Sequence, residues 1–544
     1  MADIAKGVRS FSIGTGISRI LGLVREQVFA YLFGAGMATD AFNAAFRLPN
    51  LLRDLFAENA LSTAFVPVLT AQKEKSKEAM NRFASNILNT LLLVVGLCTV
   101  AGILFSPWLA KVIAPGFGGV PGKTALTAKL ALILFPFLLF IALAAWAMSY
   151  LNTEGEYFIL SVAPAFFNVV SIAVPIALYA YYRNRGMNPI FGMAIGVTAG
   201  GVIQFLGQLP RLRKTGFRYS PFLSFKDPEF RRTMALFMPV AIGLSSSRFN
   251  IFINTLLISL LAEKSITWLN YAYRIFFTPL GLFGMAVGTV ALPAFVRCIQ
   301  QGRTDDLRAT LFDSLKMVLF LTFPTSAVIA FLAHPLTSVI YEHGKFTAAD
   351  TAATAAMLTL FMIGVPFASA LRNVAGVFYA SNDAHRPMVA SFASVGTNVV
   401  LNLILMRILG YRSFPLAASI GTIVNIGLLY LWLPKKVGPF SSRPLARYMV
   451  WITLGSLAGG AAAWGSYRGL SLLLGAGLLV KIGNVAASGV FGLLVFYAFC
   501  RAARVAEVRD YVRRFLRIGR RGGSRRVSGA SDPPPDRSGG PGPE

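Results

Sequence analysis

Apolar runs of about twenty residues recur along the whole chain and are separated by short polar stretches. A helix rises about 1.5 Å per residue, so a run of roughly 20 residues crosses the hydrocarbon core of a bilayer. The runs lack the alternation over about ten residues that is typical of strands in a membrane barrel. The pattern predicts an all-α polytopic membrane protein with fourteen transmembrane helices. Their expected bounds are 11–34, 41–70, 83–114, 124–152, 158–182, 189–210, 233–261, 267–296, 311–333, 351–380, 387–408, 414–434, 446–467 and 471–500.

Polar side chains interrupt some of these runs at helical spacing. In the second run they recur at three- and four-residue steps, which places them on one face of a helix. Shorter stripes occur in the seventh run, with Ser247, Asn250 and Asn254, and in the eighth run, with Asn270 and Arg274. The stripe of the second run comprises Asp40, Asn43, Arg47, Asn50, Asp54 and Glu58.

Basic residues concentrate in the connections that follow even-numbered runs. The connection after the sixth run, RLRKTGFRYSPFLSFKDPEFRR, holds seven of them. Connections after odd-numbered runs hold few, with Arg183 and Arg185 as a minor exception. Because cytoplasmic loops of membrane proteins are enriched in lysine and arginine, both termini are predicted to be cytoplasmic.

An internal repeat relates the first six runs to the next six. The segment IGTGISR at 13–19 resembles IGLSSSR at 242–248, and NAAFR at 43–47 resembles NYAYR at 270–274. Six is an even number, so both halves enter the membrane in the same sense. The repeat predicts two parallel six-helix lobes, with helices 13 and 14 outside it. The expected domains are an N-terminal lobe (1–215), a C-terminal lobe (216–440), helices 13–14 (441–500) and a basic, disordered cytoplasmic tail (501–544).

Composition narrows the classes of function. The formal net charge is +28, yet only 14% of residues are charged, against about 25% in soluble domains. The cations cluster in connections and in the tail, as membrane orientation requires, so nucleic acid is not an expected partner. Three cysteines and three histidines form no metal-ligand motif, and the chain has neither a phosphate-binding glycine loop nor a nucleophile–histidine pairing. These features predict a transporter rather than an enzyme, with no metal and no organic cofactor.

The first, second, seventh and eighth runs hold more cations than carboxylates. A charge at the centre of a membrane helix costs roughly 2.5–3.5 kcal/mol on insertion scales, so the surplus requires water or an anionic ligand. Guanidinium groups match phosphate oxygens. The pattern predicts a water-filled cationic cavity for a phosphate-bearing molecule, although the charges could instead pair with one another and only hold the helices together. The cations are Arg19, Arg25, Arg47, Arg53, Arg248 and Arg274, and the carboxylates are Glu26, Asp40, Asp54 and Glu58.

Three segments carry a resemblance to a known family: RILGLVRE, ATDAFNAAFRLPNLLRDLFAENALSTAFVPVL and YAYRIFFTPLGLFGMAVGTVALP. They are similar to the bacterial lipid II flippase family (MurJ, formerly MviN) of the multidrug/oligosaccharidyl-lipid/polysaccharide exporter superfamily, over about residues 1–500. The resemblance implies a protein of the bacterial inner membrane that serves peptidoglycan synthesis, cell-wall biogenesis and cell shape. It implies transfer of lipid II, an undecaprenyl-pyrophosphoryl disaccharide-pentapeptide, from the cytoplasmic to the periplasmic leaflet by alternating access.

The resemblance also implies roles for individual residues. The family's cavity arginines, which bind the pyrophosphate and the head group, fall on Arg19, Arg25, Arg53 and Arg274. The residues that would support this site are Ser18, Glu26, Asn43 and Glu58. Helices 13 and 14 would form the groove for the polyprenyl tail.

One position departs from the family. Some relatives bind sodium in the C-terminal lobe through carboxylates, whereas the matching positions here are Asn254, Asn398 and Asn402, with Thr422 nearby. Because none of these side chains is a carboxylate, hydrogen bonds between helices are the favoured interpretation over an ion site. A monovalent cation or the membrane potential remain the candidate energy sources.

The expected partners are lipid II, the surrounding membrane lipids and proteins of cell-wall synthesis, and the chain is expected to act as a monomer. Two alternatives stay open. The chain could transfer another polyprenyl-linked glycan, because cavity arginines would serve any polyprenyl pyrophosphate. It could also be a membrane scaffold without transport activity, in which the buried charges are purely structural.

Overall fold

The computed structural model describes residues 2–54, 60–473, 475 and 477–505, without the side chains of 2–13, 60, 239–240 and 242–249. Three predictions therefore concern atoms outside the described part of the chain: the role of Glu58, the side chain of Arg248, and the disorder of the tail beyond residue 505.

Every regular element in the described residues is helical. Short 3-10 helices lie at Pro115–Gly119 and Gly410–Arg412, and a five-residue π-helix lies at Leu280–Gly284. The α-helices are α1 (Ala2–Phe33), α2 (Met37–Arg53), α3 (Ala60–Lys75), α4 (Lys77–Leu104), α5 (Ser106–Ile113), α6 (Lys123–Thr153), α7 (Tyr157–Asn184), α8 (Ile190–Leu206), α9 (Leu209–Lys214), α10 (Pro228–Ile258), α11 (Ser265–Pro279), α12 (Met285–Gln300), α13 (Thr304–Phe331), α14 (Ala333–Tyr341), α15 (Ala348–Ala380), α16 (His385–Leu409), α17 (Ser413–Trp432), α18 (Pro434–Val437), α19 (Arg443–Leu473) and α20 (Leu478–Ala502).

The prediction of an all-α polytopic membrane protein is confirmed. Nine helical segments of the described residues are long and apolar enough to cross a bilayer. Helices α1, α2, α10 and α19 are not among the nine. Helix α2 has only 17 residues, and α1 and α10 carry polar side chains and arginines within their apolar runs. The count of fourteen spans and the domain boundaries stay predictions.

Several predicted helix bounds were wrong, and proline accounts for two of the differences. The predicted run 83–114 divides into α4 and α5 at Phe105, just before Pro107 in the first turn of α5. The run 267–296 contains the π-helix directly after Pro279, whose ring nitrogen cannot donate the usual helical hydrogen bond. The predicted run 41–70 holds two helices, α2 and α3, with residues 55–59 between them outside the described part of the chain.

Three large apolar clusters lie in the interior of the part of the chain that the structure describes. One lies among α1, α2, α6, α8, α11 and α15 and so joins helices from both halves of the chain. A second packs α12, α13 and α15 against α17, α19 and α20, and the third packs α3, α4 and α6 against α7 and α10. The last two helices, α19 and α20, pack on each other and on α13. The first cluster lies beside the polar stripes of α2 and α11 and holds their helices in place.

We predict that Gly102→Ala destabilises the fold. Gly102 of α4 lies against the buried ring of Phe135, and a Cβ atom there would lie 2.1 Å from two ring carbons. Overpacking of this kind costs about 1–3 kcal/mol. The midpoint of thermal unfolding in one detergent should therefore fall. Gly96→Ala, in the same helix, is the matched control, because no atom lies within 4 Å of its added methyl group. Equal midpoints for the two variants would contradict the packing between α4 and α6.

Candidate functional site

The carboxylate of Glu26 receives two arginines from opposite halves of the chain. Arg25 of α1 and Arg274 of α11 each place a guanidinium nitrogen 2.7 Å from the same oxygen, Oε1. Glu26 is 7% exposed, while the side chain of Arg274 is 46% exposed. One carboxylate cannot neutralise two guanidinium groups, so this cluster keeps a positive charge on the side where Arg274 is open.

The polar stripe of α2 faces α11 at the same level. Arg47 donates from Nη2 to Oδ1 of Asn270 at 3.1 Å, and its buried Nε has no hydrogen-bond partner among the described residues. Asn43 donates to the Thr267 hydroxyl at 3.4 Å. The stripes that the sequence predicted on two separate runs therefore meet across the interface between the two halves.

Arg53 at the end of α2 pairs with Asp54 at 2.9 Å. Among the described side chains around this interface, arginines outnumber carboxylates. The arginines are Arg25, Arg47, Arg53 and Arg274, and the carboxylates are Glu26 and Asp54.

A cavity of about 240 Å³ lies where these stripes meet. Its charged lining consists of Arg47, Arg274 and Asp54, and Asn50 and Asn270 add amide groups. A second cavity of about 210 Å³ adjoins it and shares the side chains of Arg47 and Asn270. The second cavity is otherwise lined by amides, hydroxyls and aromatic rings of α10, α11, α15, α16 and α17. The first cavity is thus lined by three charged side chains, whereas Arg47 is the one charged side chain among the described residues that line the second.

Two predicted site residues do not join this cluster. The Arg19 side chain is exposed and forms no ion pair with any side chain that the structure describes. The Ser18 backbone carbonyl, not its hydroxyl, accepts a hydrogen bond from Asn168 at 3.1 Å. The binding roles of both residues stay predictions.

A buried ion pair that sequence reasoning missed closes one end of the interface. Asp40 is 1% exposed and accepts from the amine of Lys123 at 2.9 Å. Its carboxylate also accepts from the backbone N–H groups of Lys264 at 2.7 Å and Thr267 at 3.1 Å, and from the Thr267 hydroxyl at 2.7 Å. Asp40 thus caps the first turn of α11 from the other half of the chain, which is favourable at a helix N-terminus. Lys123 gave no signal in the sequence, because it stands at the start of an apolar run like an ordinary loop lysine.

A backbone contact lies at the same end. The N–H of Lys345 donates to the carbonyl of Tyr31 at 3.1 Å, which joins the end of α1 to the turn before α15. Gly34 has φ +62°, and a Cβ there would lie 2.5 Å from the Lys345 carbonyl oxygen. Only glycine allows this approach without displacing the backbone. The two halves therefore touch at main-chain distance at this end.

The amides predicted as a candidate ion site form a hydrogen-bonded cluster between α10 and α16. Asn402 donates to Oδ1 of both Asn254 (3.1 Å) and Asn398 (3.2 Å), and Asn254 donates to Asn250 (2.8 Å). The Thr422 hydroxyl donates to the backbone carbonyl four residues earlier at 2.9 Å. Three of the four amide oxygens already accept a hydrogen bond, and the fourth, of Asn402, is buried without a partner among the described residues. Without a formal negative charge, and with its oxygens engaged by N–H groups, this donor set does not fit a sodium ion.

A family model and individual known proteins that resemble this chain all carry the same description. A family model described as lipid II flippase MurJ matches residues 29–480. A probable lipid II flippase MurJ of Vibrio cholerae is 35% identical over 468 residues, which cover 83% of this chain and 87% of the relative. The lipid II flippase MurJ of Burkholderia cenocepacia is 31% identical over 427 residues, covering 78% of this chain and 82% of that protein.

Solved structures extend the comparison to the fold. A lipid II flippase MurJ in an inward closed conformation aligns with a TM-score of 0.74 and 27% identity, over 91% of this chain and 99% of that one. An inward-facing multidrug resistance MATE transporter of the MOP superfamily aligns with a TM-score of 0.62 and 15% identity, over 79% of this chain and 98% of that one. The second likeness concerns the fold alone.

We predict that Asp40→Ala separates the two halves at the closed end. The change leaves the Lys123 amine buried without a carboxylate, and breaking such a pair costs about 3–5 kcal/mol. Spin labels at the exposed positions Gly118 and Glu263, in a variant without native cysteines, should report longer and broader distances by double electron–electron resonance. Asp305→Ala is the control, because that side chain is 93% exposed. An unchanged distance distribution in Asp40→Ala would refute the role of this ion pair in closure.

We also predict that sodium does not stabilise the protein through the amide cluster. The midpoint of thermal unfolding should be the same in sodium chloride and potassium chloride at equal ionic strength. Asn254→Asp adds a carboxylate among the amide oxygens and should make the midpoint higher in sodium. Asn382→Asp, at an exposed turn, is the control and should give the same midpoint in both salts. Sodium-specific stabilisation of the unaltered chain that is lost in Asn402→Ala would contradict this prediction.

Proposed function

The chain belongs to the lipid II flippase MurJ family, and from that premise we propose that the arginines at the junction of α1, α2 and α11 hold the pyrophosphate of lipid II during transfer. The protein is a multi-pass membrane transporter for lipid II. The substrate's pyrophosphate is a dianionic diester, and arginines outnumber carboxylates among the described side chains around the interface. This excess of cations is the main support for the proposal.

The sharing of Glu26 by Arg25 and Arg274 supports the proposal at the level of single atoms. Arg25 uses Nε and Nη2 on the carboxylate and Arg274 uses Nη1, so further N–H donors of both arginines remain for phosphate oxygens. Because the two arginines come from α1 and α11, a phosphate bound between them would contact both halves at once. Binding of the head group would then be coupled to the relative position of the halves, as alternating access requires.

We place the closed end, around Asp40, on the periplasmic side. This follows from the predicted cytoplasmic termini, because α1 and the chain before α2 then end at the periplasm. Lipid II would enter the open side from the cytoplasmic leaflet of the inner membrane, and release requires the Asp40 contacts to break while the opposite side closes. The membrane potential or a monovalent cation remain the proposed drives, and each elementary charge moved through 100 mV is worth about 2.3 kcal/mol.

Helices α19 and α20 correspond to the predicted thirteenth and fourteenth spans. They are proposed to hold the polyprenyl tail. Their outer faces carry strongly exposed leucines, with Leu472 at 87% and Leu479 at 83%. An apolar cavity of about 290 Å³ also lies between α19 and the C-terminal half, lined by Leu445, Met449 and Ile426 among others. An isoprenoid chain suits such surfaces because it packs against apolar side chains without requiring hydrogen bonds.

The other proposed partners are proteins of cell-wall synthesis, with the chain acting as a monomer. Transfer of a different polyprenyl-linked glycan is the alternative within transport. The arginines alone do not separate it from lipid II, whereas the family membership favours lipid II.

We predict that Arg274→Ala slows transfer at least tenfold while leaving the protein folded. Charge-assisted hydrogen bonds contribute about 1.5–3 kcal/mol each, so the rate should fall roughly tenfold or more. The measurement is exposure of lipid II on the periplasmic face of cells depleted of their own flippase, at matched membrane abundance. Arg297→Ala is the control, since Arg297 is exposed on α12 and its Nε donates only to the backbone of its own helix.

A charge swap separates transport from a scaffold role. Arg53→Asp combined with Asp54→Arg keeps the pair but alters the position of the cation. The proposed site predicts loss of transfer in this double variant, whereas a scaffold would tolerate it. Full activity of both the swap and Arg274→Ala would refute the arginine site, and failure of the unaltered chain would direct attention to other polyprenyl-linked glycans.

A further inference from the structure

The segment between α9 and α10 is held against α4 in an extended conformation. We call residues 217–226 the strap. Asn86 of α4 binds both backbone groups of Ser224: its Oδ1 accepts from the N–H at 2.8 Å and its Nδ2 donates to the carbonyl at 3.0 Å. Ser85 accepts from the N–H of Ser220 at 3.0 Å, and Asn89 donates to the carbonyl of Phe222 at 2.9 Å. The backbone of the strap is therefore hydrogen-bonded along its length, as in a β-strand, but its partners are side chains of α4 instead of the backbone of a neighbouring strand.

Burial alternates along the strap with a period of two. Ser220, Phe222 and Ser224 face α4 and are half-buried, as an extended chain requires for alternate residues. The intervening side chains are more exposed, although the Tyr219 hydroxyl donates back to Oδ1 of Asn89 in α4 at 3.0 Å. These more exposed side chains are Tyr219 (56% exposed), Pro221, Leu223 (46%) and Phe225 (48%).

This arrangement is the reverse of a strand on a water-soluble protein. The two serines lie against the protein, and apolar side chains are exposed at three alternate positions in a row, Pro221, Leu223 and Phe225. A contiguous apolar patch on a surface marks a contact with another molecule or a membrane. The asparagines of α4 hold the strap in this orientation, since a slip of one residue would turn its apolar face inward.

The charges around the strap indicate what covers it. Arg218 and Lys226 flank the outward face and are themselves exposed. Five further cations lie within a few residues on either side: Arg211, Arg213, Lys214, Arg231 and Arg232. The strap also begins where the apolar segment Ile190–Lys214 ends, which puts it at one end of the membrane-spanning bundle. Aromatic and basic side chains together at this depth are typical of contact with a bilayer interface, and each cation near an anionic surface strengthens binding roughly fivefold.

We propose that the strap inserts Pro221, Leu223 and Phe225 into the interface of a leaflet that contains anionic phospholipid. Arg218 and Lys226 bind the lipid phosphates on either side. The occupant of the apolar face is thus bulk anionic lipid rather than a protein. The strap connects the first nine helices to α10. Its contact with lipid therefore anchors the connection between the two halves to the membrane surface.

The test is the membrane depth of a spin label on the strap. Leu223→Cys is labelled in a variant without the native cysteines and reconstituted in nanodiscs that contain phosphatidylglycerol. Accessibility is measured by electron paramagnetic resonance with oxygen, which partitions into lipid, and with a water-soluble nickel chelate. We expect a ratio of oxygen to nickel accessibility several-fold above that of a label at Asp305, which is 93% exposed on another connection.

Lipid charge and the flanking cations provide the controls. In nanodiscs of phosphatidylcholine alone, or with Arg218→Glu and Lys226→Glu, the ratio should fall towards the Asp305 value while lipid II transfer reports independently on folding. A ratio equal to that at Asp305 in anionic nanodiscs would overturn the proposal, because the strap would then face water. Exclusion of both reagents from the label would overturn it as well, because a protein would then cover the face. Neither result bears on the arginine site.

Discussion

The carboxylate of Glu26, shared between Arg25 and Arg274, is the contact on which the arrangement of the site depends. Charges in a low-dielectric interior are tolerated only with partners, and here one acid must serve two bases from different halves of the chain. The result is a positively charged junction that also links the halves. Substrate binding and conformational coupling therefore reside in the same few atoms.

The buried charges at Asp40 differ from those at Glu26 in being balanced. One buried carboxylate meets one buried amine, and the remaining lone pairs accept backbone N–H groups of α11. A fully satisfied pair favours a fixed closed contact, whereas the undersatisfied arginines favour an added anion. The interface thus combines a contact that is complete without substrate and a site that is completed by it.

Much of the site is predictable from the pattern of residues along the chain. Helical spacing identifies the stripe of α2 and the arginines of α1 and α11. The lack of a carboxylate among Asn254, Asn398 and Asn402 predicts hydrogen bonds between helices. Asn402 forms one to Asn254, whereas its bond to Asn398 lies within α16. Lys123 and the strap were missed. A lysine at the start of an apolar run and a basic connection between runs have the same local pattern whether they are buried, docked or free in water.

The helical membrane class, the polar stripes and the family can be recognised from the amino-acid sequence alone. Run length and residue spacing are local properties, and a helix converts them directly into a span or a face. Only the tertiary structure decided that Asp40 pairs with Lys123 and Thr267, which lie 83 and 227 positions away, and that the strap turns its apolar side outward. Such contacts depend on how helices pack against one another, and many packings satisfy the same pattern of apolar and polar residues.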